Sequence, residues 1–170
     1  VSWNWNQITD FAPTIVIDCA FILRDYLGDM HLDTYVASNQ FLTSQMLQVA
    51  SLKSVKSLIY VSSGAAVHPI DALHTGLELN PYGHIKRTSE LTALRIGEEL
   101  GKNTLVARPF SLSGSLVTRP DRYAFSNLIL QARSGDIRIE AVHQVFRKYS
   151  SVDDFFAVAI AAAKEQSGYL

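Results

Sequence analysis

The chain has 170 residues, a formal net charge of −1 at pH 7 and a hydrophobic fraction of 48%. This length and composition predict one globular domain with a sizeable core, and the lack of a basic excess argues against general nucleic-acid binding. The single cysteine excludes an internal disulfide, and the apolar runs are shorter than the roughly 18 residues that span a bilayer. We therefore expect a cytoplasmic protein that binds neither nucleic acid nor membrane.

Short apolar runs alternate with amphipathic segments along the chain. The helix predicted over 82–101 carries Ile85, Leu91, Leu94 and Leu100 on its apolar side, with Gly101 as its C-terminal cap. Ser151 is expected to cap the last predicted helix. Runs of β-branched and aliphatic residues predict buried strands at 13–20, 57–63 and 104–109, and an alternating run predicts a half-buried or edge strand at 136–141. Further helices are predicted at 32–52, 122–135 and 151–166.

This alternation predicts the fold class. Strands separated by helices favour an α/β, Rossmann-like, doubly wound and mostly parallel sheet with helices on both faces. In such sheets ligands bind at the carboxyl ends of the strands. The second predicted strand ends in Ser62 and Ser63, and the third is followed by "RPFSLSG", so we expect the chemistry of the protein at these two places.

The segment "NPYGHIKRTSE" at 80–90 carries the strongest chemical signal. Tyr82 and Lys86 are four residues apart, so on a helix they share one face. A free tyrosine, with a pKa of about 10, is a poor base at neutral pH, and a neighbouring ammonium favours its phenolate form. Together with a serine hydroxyl from the second strand, this pair suits oxidation and reduction at a carbinol carbon. From these residues alone, a surface pair beside a serine-containing turn explains the pattern equally well.

The order of several motifs points to a family. The series "TIVIDCA", "YVASN", "LIYVSSGAAVHP", "NPYGHIKRTSE", "LVARPFSLSG" and "RKYSSVDD" resembles the middle of an extended short-chain dehydrogenase/reductase of the NAD-dependent nucleotide-sugar epimerase/dehydratase family. The resemblance covers about 12–164. It implies an NAD- or NADP-dependent enzyme that acts on a nucleotide sugar and forms a homodimer when full length. No metal is expected, because His68, His74 and His84 lack metal-ligand spacing and acidic neighbours.

The resemblance also implies roles for individual residues. Tyr82 matches the catalytic acid/base, and Lys86 matches the lysine that holds the nicotinamide ribose and tunes the tyrosine. Segment 110–150 would contribute to the substrate-binding side. The further cofactor-binding positions are Cys19, Ala20, Phe21, Asn39, Ser62 and Phe110, and the substrate-binding positions are Ser63, Ser111 and Arg147.

The sequence departs from the family pattern at several positions. Gly64 falls where the family has its catalytic serine or threonine, so Ser63 is only a provisional hydroxyl donor. His68 stands in place of a tyrosine, and Ser111 in place of an asparagine. No two glycines are spaced as G-x-G, so the phosphate-binding turn of a dinucleotide fold is missing. We therefore expect a fold that is incomplete in its N-terminal half, as the central part of a longer enzyme.

Two other functions remain compatible with the sequence. One is a carbonyl reductase of the same superfamily that acts on a non-nucleotide substrate. The other is a non-catalytic binding or regulatory protein that retains the fold, which the glycine at position 64 favours and the intact Tyr82 and Lys86 oppose. Cys19 is expected to be a small buried residue at a strand end, with no basic partner near it in sequence to make it a nucleophile.

Overall fold

The structure is a computed structural model that describes residues 4–23, 25, 28–67, 76–115, 117–139 and 141–170. His68 lies outside these residues. Within the single domain predicted for 1–170, the chain forms two compact units. The first comprises Val1–Pro109 and Val158–Leu170, and the second is Phe110–Ala157.

The elements follow one another in the α/β order that the sequence predicts. The strands are β1 (Ile15–Asp18), β2 (Ser57–Val61), β3 (Asn103–Ala107), β4 (Leu112–Ser113), β5 (Ser150–Ser151) and β6 (Gly168–Tyr169). The helices are α1 (Trp5–Phe11), α2 (Leu32–Ala50), α3 (Gly76–Leu79), α4 (Pro81–Glu99), α5 (Ala124–Ser134) and α6 (Val152–Glu165), with 3₁₀ turns at Gly64–Val67 and Pro120–Arg122.

The first unit is built on a parallel sheet. Among the described residues its strand order is β1-β2-β3-β6, and every pairing is parallel. Asp18 at the end of β1 pairs in register with Tyr60 of β2, which pairs with Val106 of β3. The carboxyl ends of three strands therefore meet at one edge, and the Rossmann-like fold class is confirmed.

Both faces of the central strands are buried. On one face Leu58 and Tyr60 pack with Met46 and Ala50 of α2 and Ala93 of α4. Alternate residues of a strand point to opposite faces, so Ile59 and Leu105 face the other side, where they are also buried. Strands covered on both faces are typical of parallel α/β sheets and explain the continuous apolar runs in the sequence.

The buried face of α4 is different from the predicted one. Leu91 and Leu100 are 47% and 39% exposed, so the aliphatic stripe does not define the packed side. Gly97 lets the helix approach β3 so closely that a Cβ there would overlap the Thr104 side chain. The buried positions of this helix are mostly small or polar: Pro81, Gly83, Ile85, Lys86, Ser89, Glu90, Ala93 and Gly97.

The second unit holds a small parallel pair, β4 with β5, and helix α5. Gly135, with φ +84°, ends α5 as predicted, and Ser151 Oγ accepts a hydrogen bond from Asp154 N at 3.0 Å, as expected of a cap. The strand predicted at 136–141 is wrong: described residues 136–139 and 141 form no strand. No helix in the described part of the chain has the length and apolarity to cross a membrane.

Candidate functional site

The site begins at the first turn of α4. Asn80 caps this helix by accepting a hydrogen bond from Gly83 N at 3.1 Å, and Pro81 occupies the first helical position, where its missing N–H costs nothing. A Cβ at Gly83 would meet Ala65 O at 2.5 Å, so glycine allows the helix to begin against the turn that follows β2. Tyr82 is thereby placed beside the carboxyl ends of the strands, and Lys86 lies one turn further along.

Phe21 joins the two predicted catalytic residues. Its ring lies edge-on to the Tyr82 ring, with 5.3 Å between centroids. Lys86 Nζ lies 4.0 Å from the centroid of this same Phe21 ring. The structure thus brings together Tyr82, Lys86 and the residue after β1 that was predicted to touch the cofactor.

Lys86 is almost completely buried, with 4% of its surface exposed. Its Nζ donates to Val61 O at 2.8 Å and lies 5.1 Å from the Tyr60 ring centroid. Burial lowers the pKa of Lys86 to about 8, against a smaller opposing effect of the Asp18 carboxylate. Near neutral pH the ammonium is therefore charged and within reach of deprotonation.

Asn39 organises the segment that carries Phe21. This fully buried asparagine accepts a hydrogen bond from Ile22 N at 2.8 Å, and its Nδ2 donates to Tyr35 O at 3.0 Å. The amide of Asn39 thus fixes the backbone after β1. Its predicted contact with the cofactor stays a prediction.

Cys19 and Ala20 both lie exposed after β1. The expectation that Cys19 is buried is wrong, because the chain leaves the sheet at Asp18 and the residue is exposed. Partial burial of its sulfur and the adjacent Asp18 carboxylate nevertheless raise the pKa of the Cys19 thiol. The protonated thiol favoured by this environment is a weak nucleophile.

The two serines after β2 have different environments. Ser62 is buried and its hydroxyl donates to Glu90 Oε1 at 2.5 Å. Ser63 is half-buried, and its Oγ accepts a hydrogen bond from Ala65 N at 3.2 Å. The Ser62 hydroxyl therefore uses its proton in a buried hydrogen bond, whereas the Ser63 hydroxyl can still donate a hydrogen bond to another group.

Sequence reasoning missed a buried charge cluster that supports this edge of the sheet. Glu90 is fully buried and accepts two hydrogen bonds from Arg108, at 2.8 and 2.6 Å, and one from Arg87 at 2.9 Å. Burial alone would raise the pKa of Glu90, but the hydrogen bonds from Arg108, Ser62 and Arg87 lower it on balance. The available sequence signal was an acid one turn after Lys86 and an arginine ending an apolar strand.

Asp18 was also missed. It is 6% exposed at the end of β1, where its Oδ1 accepts a hydrogen bond from Ala20 N at 3.0 Å. An acid that closes an apolar, β-branched run was the signal that could have identified it. Burial raises the pKa of Asp18, and the Lys86 charge partly opposes this effect.

The remaining predicted residues belong to the second unit. Phe110 is 71% exposed, and Arg147 is exposed without an ion pair to any described residue. Ser111 is half-buried, and its carbonyl accepts a hydrogen bond from Ser150 N at 3.1 Å, beside the β4–β5 pair. Their predicted roles with cofactor and substrate stay predictions.

Comparison with solved structures finds the same fold in several known proteins. The chain is similar to a UDP-glucose 4-epimerase from Thermotoga maritima crystallised with UDP-glucose (TM-score 0.74, 17% identity, 98% of this chain and 59% of that one). It is also similar to a UDP-glucuronic acid 4-epimerase from Bacillus cereus in complex with NAD (TM-score 0.70, 20% identity, 97% of this chain and 55% of that one). A third similar structure is RMD from Pseudomonas aeruginosa complexed with NADPH (TM-score 0.70, 22% identity, 93% of this chain and 60% of that one).

The chain thus spans 55–60% of the length of these three proteins. No curated protein matches it in sequence. The sequence pattern of the NAD dependent epimerase/dehydratase family matches residues 4–169, in agreement with the predicted NAD or NADP cofactor. The chain therefore belongs to the NAD dependent epimerase/dehydratase family.

Proposed function

We propose that this chain carries the acid–base residues of an NAD(P)-dependent epimerase or dehydratase that acts on a nucleotide sugar. Tyr82 is the acid/base and Lys86 its electrostatic partner. The observation that carries the proposal is the burial of the Lys86 ammonium beside the ring that Tyr82 contacts. A surface pair has no reason to remove an ammonium from water, because this desolvation costs free energy that only a function or a compensating contact offsets.

The residues of this site fit the nicotinamide-ribose end of NAD or NADP. Within the described residues Lys86 Nζ donates to one protein acceptor, Val61 O, so it has further donors for ribose hydroxyls. Asn39 holds the adjacent backbone at Ile22 in place. Lys86 and the backbone near Ile22 would hold the cofactor, which would supply hydride transfer to and from the substrate carbon.

Side chains of the protein itself accept and donate the proton of the reaction. The Tyr82 phenolate oxygen takes the proton of the substrate alcohol as the alcohol carbon is oxidised, and the phenol hydroxyl formed in this way returns the proton when the carbonyl is reduced. The Lys86 ammonium, in a poorly solvated site, favours negative charge on nearby oxygens. The hydroxyl of Ser63 is proposed to hold the substrate oxygen in the role that Gly64 cannot fill.

The second unit is proposed to bind the nucleotide sugar. Arg147 has a guanidinium that is exposed and, within the described residues, unpaired, so it is suited to a diphosphate. Ser111 and Phe110 are proposed to contact the sugar and the nicotinamide. We propose a nucleotide sugar as the substrate and not a simple carbonyl compound, because two of the similar solved structures are epimerases of UDP sugars.

The test is the Tyr82→Phe variant of the full-length protein. Loss of the hydroxyl should reduce turnover of UDP- or dTDP-sugars by roughly 10²- to 10⁴-fold, while NAD(P) affinity stays within a few-fold because the ring is retained. Tyr123→Phe, at a residue that is 50% exposed in the second unit, is the matched control and should remain active. A Tyr82→Phe enzyme with more than half of the wild-type activity would exclude Tyr82 from the mechanism. Stoichiometric release of an oxidised or reduced product would favour the carbonyl-reductase alternative.

A further inference from the structure

Asp18 has an unused carboxylate oxygen inside the protein. The residue is 6% exposed, and Oδ1 accepts the hydrogen bond from Ala20 N. Its other oxygen, Oδ2, is buried and accepts no hydrogen bond from any described residue. Burying a carboxylate oxygen without a hydrogen bond costs free energy, and a nearby positive charge offsets this cost and keeps the carboxyl ionised.

Lys86 supplies such a charge. Tyr60 pairs in register with Asp18, and Lys86 Nζ lies 5.1 Å from the Tyr60 ring centroid. The same Nζ lies 4.0 Å from the centroid of Phe21, three residues after Asp18. The carboxylate and the ammonium thus lie among the same aromatic side chains at the carboxyl ends of β1 and β2, and each acts on the titration of the other.

The other ionisable groups around Lys86 do not replace Asp18. Glu90, one turn further along α4, also favours the charged form of Lys86, but less than Asp18 does, and it is paired with Arg87 and Arg108. Among the described residues, the other ionisable groups near Lys86 are Cys19 after β1, Tyr60 on β2 and Tyr82 on α4 itself, which contacts the same Phe21 ring. The Cys19 thiol, whose pKa is raised, is neutral near pH 7, so Asp18 is the carboxylate with the larger effect on Lys86.

We propose that Asp18 is a positioning residue that keeps Lys86 in its charged form through its free carboxylate oxygen. Desolvation favours neutral lysine, whereas a nearby carboxylate favours ammonium, and the balance decides whether Lys86 is charged at working pH. The inference rests on the proposed function, because a charged Lys86 matters only if Tyr82 and Lys86 carry the chemistry. Removing the Asp18 charge should therefore move the loss of Lys86 charge to lower pH.

The experiment measures Lys86 directly. In ¹³C-lysine-labelled protein the Cε resonance of Lys86, assigned by its absence in Lys86→Met, should titrate near pH 8 in the wild type. In Asp18→Asn, whose amide oxygen still accepts from Ala20 N, the midpoint should fall by about one pH unit or more. Asp18→Glu, which restores the charge, should bring the midpoint back towards the wild type. Asp33→Asn on the exposed first turn of α2 is the matched control and should leave it unchanged.

The outcomes separate this inference from the proposed function. An unchanged midpoint in Asp18→Asn would overturn the role of Asp18, whatever the activity of the enzyme. If that variant does not fold, Asp18→Ser, which keeps an oxygen near Ala20 N, takes its place with the same expected shift. In active enzyme, the alkaline loss of kcat should move to lower pH together with the NMR midpoint. A shifted midpoint in a protein without turnover would support the coupling and count against the proposed function.

Discussion

At the scale of the residue, Lys86 is where stability and function conflict. Placing an ammonium in a site that is 4% exposed favours the neutral amine and costs folding free energy at neutral pH. Lowering its pKa from 10.5 to about 8 corresponds to roughly 3 kcal/mol. Buried groups with perturbed pKa values concentrate at functional sites, and Lys86 is such a group beside the predicted acid/base.

This conflict predicts an unusual dependence of stability on pH. Between pH 8 and 10.5 the unfolded chain keeps the Lys86 proton while the folded protein loses it, so the free energy of unfolding should rise with pH in this interval, by up to roughly 3 kcal/mol. Lys86→Met should remove this rise. Urea unfolding at several pH values between 7.5 and 10.5 measures it.

Lys164→Met is the matched control, since it removes an exposed lysine in the last turn of α6 and should leave the rise intact. Parallel pH profiles for the wild type and Lys86→Met would show that Lys86 keeps its ordinary titration in the folded protein.

At the scale of the element, α4 is held to the sheet by a charged cluster as well as by apolar packing. Glu90 on the buried side of the helix accepts hydrogen bonds from Ser62 after β2 and Arg108 after β3. Arg108 also lies over the Tyr169 ring of β6, with its Cζ 4.3 Å from the centroid. One carboxylate therefore links the helix that carries Tyr82 and Lys86 to three strands.

Glu90→Gln should destabilise the protein by about 3 kcal/mol, because it leaves Arg108 without its carboxylate partner in a mostly buried site. The lowered pKa of Glu90 means that its stabilisation is present above the ordinary glutamate pKa and is lost as the pH falls through the folded-state value. Urea unfolding at pH 7 and across the acid range tests both statements.

The exposed Glu98→Gln on the same helix is the control and should change stability by less than about 0.5 kcal/mol. Equal losses of unfolding free energy in Glu90→Gln and Glu98→Gln would contradict a stabilising role for the cluster. An acid dependence of stability in Glu90→Gln that matches the wild type would contradict it too.

The same helix shows how far sequence reasoning reached. The extent of α4, its four-residue Tyr–Lys spacing and the strands on either side were predictable, because β-branched runs and capping residues are local signals. The buried face was not, because Lys86 and Glu90 are buried through partners distant in sequence. Asp18 was missed for the same reason: an acid in an apolar run shows its burial only when the neighbouring strand and helix are known.

For the segment 136–141 the sequence predicted a strand that the described residues do not form. Its alternating pattern is typical of a half-buried strand, yet Ile137 and Ile139 are 57% and 75% exposed. Alternation specifies a strand only where another strand offers hydrogen bonds, and that partner is not encoded locally. The two-residue strand β6 escaped prediction because it is too short to show any period.

At the scale of the whole molecule, β1 lies at the edge of the sheet formed by the described strands. It pairs with β2 on one side, and its residues Ile15–Asp18 include no proline or basic residue that would discourage pairing on the other. Ile17 points away from the α2–α4 face and is 37% exposed. An apolar edge strand of this kind is a template for pairing with a further strand.

A polypeptide of these 170 residues should therefore self-associate through β1, because no described strand pairs with its outer backbone N–H and C=O groups, which a second copy could bind. Ile17→Lys places a charge on this edge without altering the pairing with β2, and should shift the polypeptide towards monomer. Val158→Lys, at a position of α6 that is 53% exposed, adds the same charge away from the edge and should leave association unchanged. Multi-angle light scattering at several concentrations distinguishes these cases. A monomeric unmodified polypeptide, or equal association in the Ile17→Lys variant, would show that the edge of β1 is already protected.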